Sequence, residues 1–318
     1  MFSISFQTAA IAIVQIFLMG AVGFFLMRRH LLDEPGLKVL SWISVNVTFP
    51  FFIFYQIINH FDPRAQPHWW AYPLINVGLG VVSLSIAGVL AGFFRKNQRR
   101  EWMAVSGFHN AGFIPLLLVT MLPLGEKTQE LYAYVILSII GFDLCLWSLG
   151  VWLIAYRQKQ TINLGNFINP PLVSMFGAFA LVLLGFKSIL PEMLMKPVKI
   201  MGDGALAIAI LTIGGNLALT NFQKIQWRDI GGAVFIKLLF LPALTLVFLR
   251  LVHVDSLWGL ILMVQACMPT AITLSIIARY YNSPQQNLIN QTIFLTHVLC
   301  GLTVPLFLGL YGRGLSSP

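Results

Sequence analysis

Charge is what this chain has least of. Only 10% of its 318 residues are charged while 58% are hydrophobic, whereas soluble domains carry about a quarter charged residues. Acids are the scarcest, 11 Asp and Glu against 20 Lys and Arg. They are scattered, so no carboxylate pair offers acid–base chemistry. The sequence contains no His-Glu-x-x-His for a zinc hydrolase and no Gly-x4-Gly-Lys-Ser/Thr phosphate loop for an ATP motor. Cysteine is equally sparse. Cys145, Cys267 and Cys300 are odd in number, lie in apolar runs and lack ligand spacing, which argues against a disulfide framework or a zinc site. Enzymatic activity is not expected, and neither is a cofactor or a metal.

What the chain has instead is apolar segments of membrane-crossing length, about 20 residues each. Ten can be placed: Thr8–Met27, Leu37–Ile58, Ala71–Phe94, Met103–Leu122, Leu131–Tyr156, Pro171–Phe186, Ile200–Leu219, Ile230–Leu251, Leu257–Ala278 and Leu288–Leu310. The connections are too short for a soluble domain, so the chain reads as one all-α polytopic membrane unit. The first segment has no basic leader and ends in Arg28-Arg29 without a small-residue cleavage site. It therefore reads as a span and not as a signal peptide.

The formal charge of +9 would suggest nucleic acid in a soluble protein. Here the cations fall in loops, so no nucleic acid partner is expected. One set of alternate loops holds Arg28, Arg29, Lys38, the run Arg95–Arg100, Arg157, Lys159, Lys224, Arg228 and Arg279. Positive loops favour the cytoplasm, which places that set inside and both termini outside. Lys187, Lys196 and Lys199 lie on the opposite side. Trp69, Trp70, Tyr72, Trp102, Trp227 and Trp258 fall at span ends, where interfacial anchors sit.

Five spans per half is an odd number, so the second half enters the membrane inverted. Residues 1–156 form one repeat and 171–318 the other, with the polar stretch 157–170 as linker. Both halves carry an interrupted span. The first interruption is Ser106-Gly107-Phe108-His109-Asn110-Ala111-Gly112-Phe113-Ile114-Pro115, and the second is Gln265-Ala266-Cys267-Met268-Pro269-Thr270-Ala271-Ile272-Thr273. Proline removes a backbone donor and clashes with the preceding turn. In hydrocarbon such a break persists only where protein or a wet cavity surrounds it. Matching breaks in two repeats are the sequence sign of a transporter's substrate site.

Free N–H groups and partial positive charge at half-helix N-termini suit a carboxylate. The candidate substrate-binding residues are Asn110, Gly112, Pro115, Pro269, Thr270 and Thr273. The Asn110 carboxamide suits either a ligand or the broken backbone. Thr270 and Thr273 suit either a ligand or the preceding helical turn. Ionisable groups within spans are functional candidates by default, and His109, Asp143 and Lys237 are the coupling candidates. His109, with an intrinsic pKa of about 6.5, suits proton transfer but also a neutral hydrogen-bonded role. Asp143 suits proton uptake, and Lys237 suits either pairing with Asp143 or attracting an anion. Asp203 reads as a helix cap. The glycines of the seventh span, Gly202, Gly204, Gly214 and Gly215, read as packing residues.

Asn110-Ala111-Gly112-Phe113-Ile114-Pro115-Leu116 resembles the Asn-x-Gly-containing, proline-ended region of the auxin efflux carrier family, which includes the plant PIN proteins and bacterial relatives. Ala266-Cys267-Met268-Pro269-Thr270-Ala271 resembles its Ala-Ala-Met-Pro-Pro-Ala stretch. Ile277-Ala278-Arg279-Tyr280-Tyr281, Thr292, Thr296 and Val304-Pro305-Leu306 continue the likeness along the chain. Thr270 and Thr273 stand where many relatives have a second proline and an asparagine, and Leu206-Ala207 where they have Leu-Pro. The second break thus offers hydroxyls in place of a carboxamide.

The resemblance implies a fold similar to bile-acid and sodium–proton carriers, with spans four and nine crossing at mid-membrane. Spans one, two, six and seven would form a homodimerising scaffold. Spans three to five and eight to ten would form a transport domain that moves like an elevator. The implied function is secondary transport of a small organic anion across a bacterial inner membrane, driven by protons or potential. A sodium-coupled carrier, an anion channel and a membrane enzyme are the alternatives.

Overall fold

The computed structural model describes residues 6–64, 70–121, 127–155, 170–221, 225–252 and 254–314. The linker read as 157–170 lies outside the described residues except for Pro170, and so does Trp69. Among the described residues the fold is helical throughout. The helices are α1 (Phe6–Arg28), α2 (Glu34–Ile43), α3 (Phe49–His60), α4 (Ala71–Leu90), α5 (Arg99–Gly107), α6 (Phe113–Met121), α7 (Lys127–Cys145) and α8 (Val151–Ala155). They continue as α9 (Pro170–Leu183), α10 (Glu192–Leu219), α11 (Trp227–Phe235), α12 (Leu241–Leu251), α13 (Ser256–Ala266), α14 (Thr273–Tyr280) and α15 (Gln286–Gly314).

Several of these are pieces of longer helices. A wide π-type turn joins α2 to α3 over Ser44–Thr48, and another joins α11 to α12 over Ile236–Phe240. The next helix has proline in its first turn each time, Pro50 and Pro242. Proline has no N–H and crowds the carbonyl one turn back. The wider turn absorbs the misfit, with Phe49 donating to Ser44 O and Leu241 to Ile236 O. A third such turn, Leu146–Gly150, joins α7 to α8.

Among the described residues, six continuous stretches are long and apolar enough to cross a bilayer: Glu34–Asn59, Ala71–Phe93, Tyr134–Ala155, Glu192–Leu219, Trp227–Leu251 and Gln286–Gly312. Phe17–Arg28, Pro170–Leu183 and Leu257–Ala266 are apolar but shorter. Side chains facing outward are apolar too. Val14, Leu18, Val22 and Phe25 are exposed along one face of α1, as lipid contact requires and water does not.

Close helix contacts rest on missing side chains. A Cβ on Gly214 of α10 would lie 1.8 Å from Gly20 O of α1, and one on Gly23 would lie 2.1 Å from Leu211 O. One on Gly141 of α7 would lie 1.9 Å from Pro73 O of α4. Membrane helices without a hydrophobic drive to associate gain contact by such approach. α1 packs on α10, and α3 packs on α9 and α10, while α5 packs on α4, α8, α11 and α15. α1, α2 and α10 also meet α14 or α15.

Two sequence readings are corrected. α10 begins at Glu192, so Asp203 lies well inside it and is no cap; it accepts instead from Lys199, one turn earlier. Trp102 and Tyr72 are buried rather than interfacial. Trp102 stacks on Phe94 and donates its indole N–H to Asp229 O at 2.7 Å. Tyr72 stacks between Tyr134 and Trp258. Each ring found protein to cover it, which position along the chain did not reveal. Trp70 and Trp227 remain exposed.

Candidate functional site: the crossing of two interrupted helices

Neither proline-marked span is a continuous rod. The first is α5 and α6 with an unwound link between them, and the second is α13 and α14 likewise. The two links cross and pair as a one-rung antiparallel bridge, His109 opposite Thr270. Asn110 N donates to Pro269 O at 2.7 Å, and Ala271 N donates to Phe108 O at 3.0 Å. Each break thus satisfies backbone groups that the other exposes, which a buried main chain requires. Pro115 lies in the first turn of α6, where an absent N–H costs little. It therefore fits within the second half-helix, whereas Pro269 sits in the unwound link itself.

Side chains supply the remaining bonds. Lys237, almost fully buried on the π-type turn, reaches the C-terminal end of α5 and donates to Gly107 O at 3.0 Å. A cation there meets the negative end of the helix. Gln265 Nε2 donates to Ala111 O at 3.1 Å and to Ser138 Oγ at 3.0 Å. Thr270 Oγ1 donates to Val105 O at 2.9 Å, bonding the opposite interrupted helix and not its own preceding turn. Thr296 Oγ1 accepts from Thr270 N at 3.3 Å. His109 Nε2 meets Asn76 Oδ1 at 3.2 Å, and Asn76 Nδ2 donates to Ser138 O at 2.8 Å. Since Asn76 Oδ1 can only accept, Nε2 carries the hydrogen. His109 is a buried, hydrogen-bonded residue of the link.

Beside the crossing lies a cleft of about 50 Å³. Asn110, Ala111 and Gly112 line it ahead of α6, and Ala271, Ile272 and Thr273 line it at the start of α14. Both half-helix N-termini therefore border one space. Phe52 and Ile53 of α3 and Ile139, Phe142 and Asp143 of α7 complete the wall. A Cβ on Gly112 would meet Ile139 at 3.5 Å, an ordinary contact.

The candidates therefore separate into two sets. Asn110, Gly112, Thr273 and Asp143 border the cleft. Pro269, Thr270, His109 and Lys237 hold the crossing together from within, and Pro115 belongs to neither set, lying in the first turn of α6. The pairing of Lys237 with Asp143 is not formed among the described residues; Lys237 donates to Gly107 O instead. Asn76 and Gln265 had no role in the sequence reading. Both are polar residues within apolar runs, Leu74-Ile75-Asn76-Val77 and Leu262-Met263-Val264-Gln265. That signal singles out such residues in any span.

Long apolar helices and an irregular backbone buried at their crossing define a multi-pass membrane protein of the transporter class. The family model described as membrane transport protein matches residues 8–166 and 159–308. The chain belongs to that family, which is the auxin efflux carrier family. Among curated proteins it has no significant match.

Proposed function

We propose that the protein is a secondary carrier of a small organic anion, held by its carboxylate in the cleft where α6 and α14 begin. One observation carries the reading: two half-helix N-termini, from different halves of the chain, border the same cleft. Such termini present N–H groups and partial positive charge. At about 50 Å³ the cleft admits a carboxylate group, and a whole ligand needs more room. Relative movement of the helix groups supplies it. α1, α2, α3, α9 and α10 form the scaffold of this reading, and the crossing with α4, α7, α8, α11, α12 and α15 forms the moving part. The ten-span count, the inverted repeat and dimerisation through the scaffold belong to the same proposal. So do external termini and residence in an inner membrane.

Protons or membrane potential drive the cycle in this reading. Sodium coupling at the unwound carbonyls is the alternative, although those of Gly107, Phe108, Ala111 and Pro269 each already accept one bond from a protein donor. Asp143, in the cleft wall, is the proton carrier. Uptake of malonate, malate and indole acetate into proteoliposomes, under imposed pH, potential and sodium gradients, tests each part. Saturable, gradient-driven uptake of one of them is expected. Currents too fast for a conformational cycle would point to a channel, and flux that requires sodium would refute proton coupling.

A further inference from the structure

A second and larger cavity, of about 290 Å³, lies between α1 and α10 on one side and α14 and α15 on the other. Phe17, Phe24 and Phe25 of α1, Ile213 of α10 and Phe294 of α15 give it an almost wholly apolar wall. Phe17 and Phe294 meet edge to face, with ring centroids 6.0 Å apart. Phe25, one of the lining residues, is also 60% exposed on the apolar outer face of α1, so the cavity borders that face.

His297 forms part of this wall and is only 4% exposed. Its Nδ1 lies 2.8 Å from Ile293 O. A carbonyl only accepts, so Nδ1 carries the hydrogen, and in the neutral ring Nε2 is then an acceptor. That nitrogen is buried and has no hydrogen-bond partner. Buried polar groups normally have one.

We propose that this cavity is a second ligand site, for a lipophilic molecule bearing one hydroxyl or N–H donor, which reaches it from the hydrocarbon and bonds His297 Nε2. The wall holds no charged side chain to offset the desolvation of a charged head. Ser275 and Asn290 also line it but bond each other, so the unpartnered His297 Nε2 selects a donor. Ile272 lines both this cavity and the crossover cleft, so the two sites share the residue that leads into α14. An occupant wedged between α1 and α14–α15 resists their relative motion and slows transport, a consequence that rests on the carrier reading. Binding itself does not.

The test uses a diazirine-tagged 1-octanol with the full chain in phosphatidylcholine nanodiscs, cross-linked sites being mapped by mass spectrometry. Saturable labelling of α1 and α15 at the cavity, competed by 4-octylphenol but not by octylbenzene, is expected. Ala21→Trp, which fills the space from α1, and the milder Ala21→Leu reduce it. His297→Phe weakens competition by 4-octylphenol by at least about fivefold, as loss of one hydrogen bond does, and His297→Gln restores part of it. Labelling that rises linearly and spreads over the lipid-facing side of α1 would overturn the site. So would equal competition by octylbenzene, or unchanged labelling in both folded Ala21 variants. In a separate arm, 4-octylphenol slows uptake by the wild type and not by Ala21→Trp. If no carboxylate is transported at all, the labelling experiment still decides the site.

Discussion

Asn110 combines two tasks. Its amide N–H closes the crossing against Pro269 O, while its residue also borders the cleft. The main-chain bond survives truncation of the side chain, so Asn110→Ala separates the two. We expect that variant to insert and fold as the wild type does, yet to lose about tenfold or more in uptake, the worth of one hydrogen bond to a charged group. Wild-type flux would remove Asn110 from the site. Asp143→Asn makes a different point, because it keeps the shape of the cleft wall and removes the carboxyl that lines it. Its uptake is expected to lose its dependence on pH between about 5 and 8, the range in which a proton carrier must work. A pH profile matching that of the wild type, at full activity, would dismiss Asp143 as the carrier. Lys237→Met leaves Gly107 O buried without its donor, a loss of about 1–3 kcal/mol. A lowered unfolding temperature in nanodiscs would show it, and an unaltered one would mean that the carbonyl finds another partner.

Among the elements, α1 and α10 depend on glycine most directly. Gly214 and Gly204 lie on the same helix, but a Cβ at Gly214 would overlap Gly20 O, and one at Gly204 meets nothing within 4 Å. Gly214→Ala must push the two helices apart, so we expect it to destabilise the protein by roughly 1–3 kcal/mol, as overpacking does. Gly204→Ala should leave unfolding unchanged or slightly delayed, since alanine favours helix by about 1 kcal/mol over glycine. Equal unfolding temperatures for the two variants would contradict the close approach. The sequence marked these glycines as packing residues without distinguishing them. Small size is visible in a residue, but the neighbour it makes room for is not. The breaks were more legible, because a proline inside an apolar run is a local fact with a local consequence.

At the scale of the molecule, one polar cluster ties α10 to α14 and α15. Asn216 donates to Ser275 Oγ at 2.9 Å, Ser275 to Asn290 Oδ1 at 2.6 Å, and Asn290 back to Asn216 O at 3.2 Å. Arg279 bonds Asn216 Oδ1 at 2.8 Å and Glu34 Oε1 at 2.6 Å. In the proposed carrier, an elevator-like displacement would have to break this cluster in every cycle. Joining Asn216→Cys to Ser275→Cys with a short thiol-reactive linker should therefore stop uptake, and cleaving the linker should restore it. Full transport by the cross-linked protein would rule out movement between these helices.

Hydropathy and proline placement alone determined that the chain is helical, embedded in lipid and broken twice, since both act over a few neighbouring residues. They also brought Asn110 and Pro269 forward as members of one site. Packing decided the rest. It sent Lys237 to Gly107 and not to Asp143, buried Trp102 against Asp229 O, set Asn76 beside His109, and left His297 against an apolar cavity. Those partners lie tens to hundreds of residues apart along the chain. A buried polar group announces that it needs a partner, but only the arrangement of helices in space selects which one it finds.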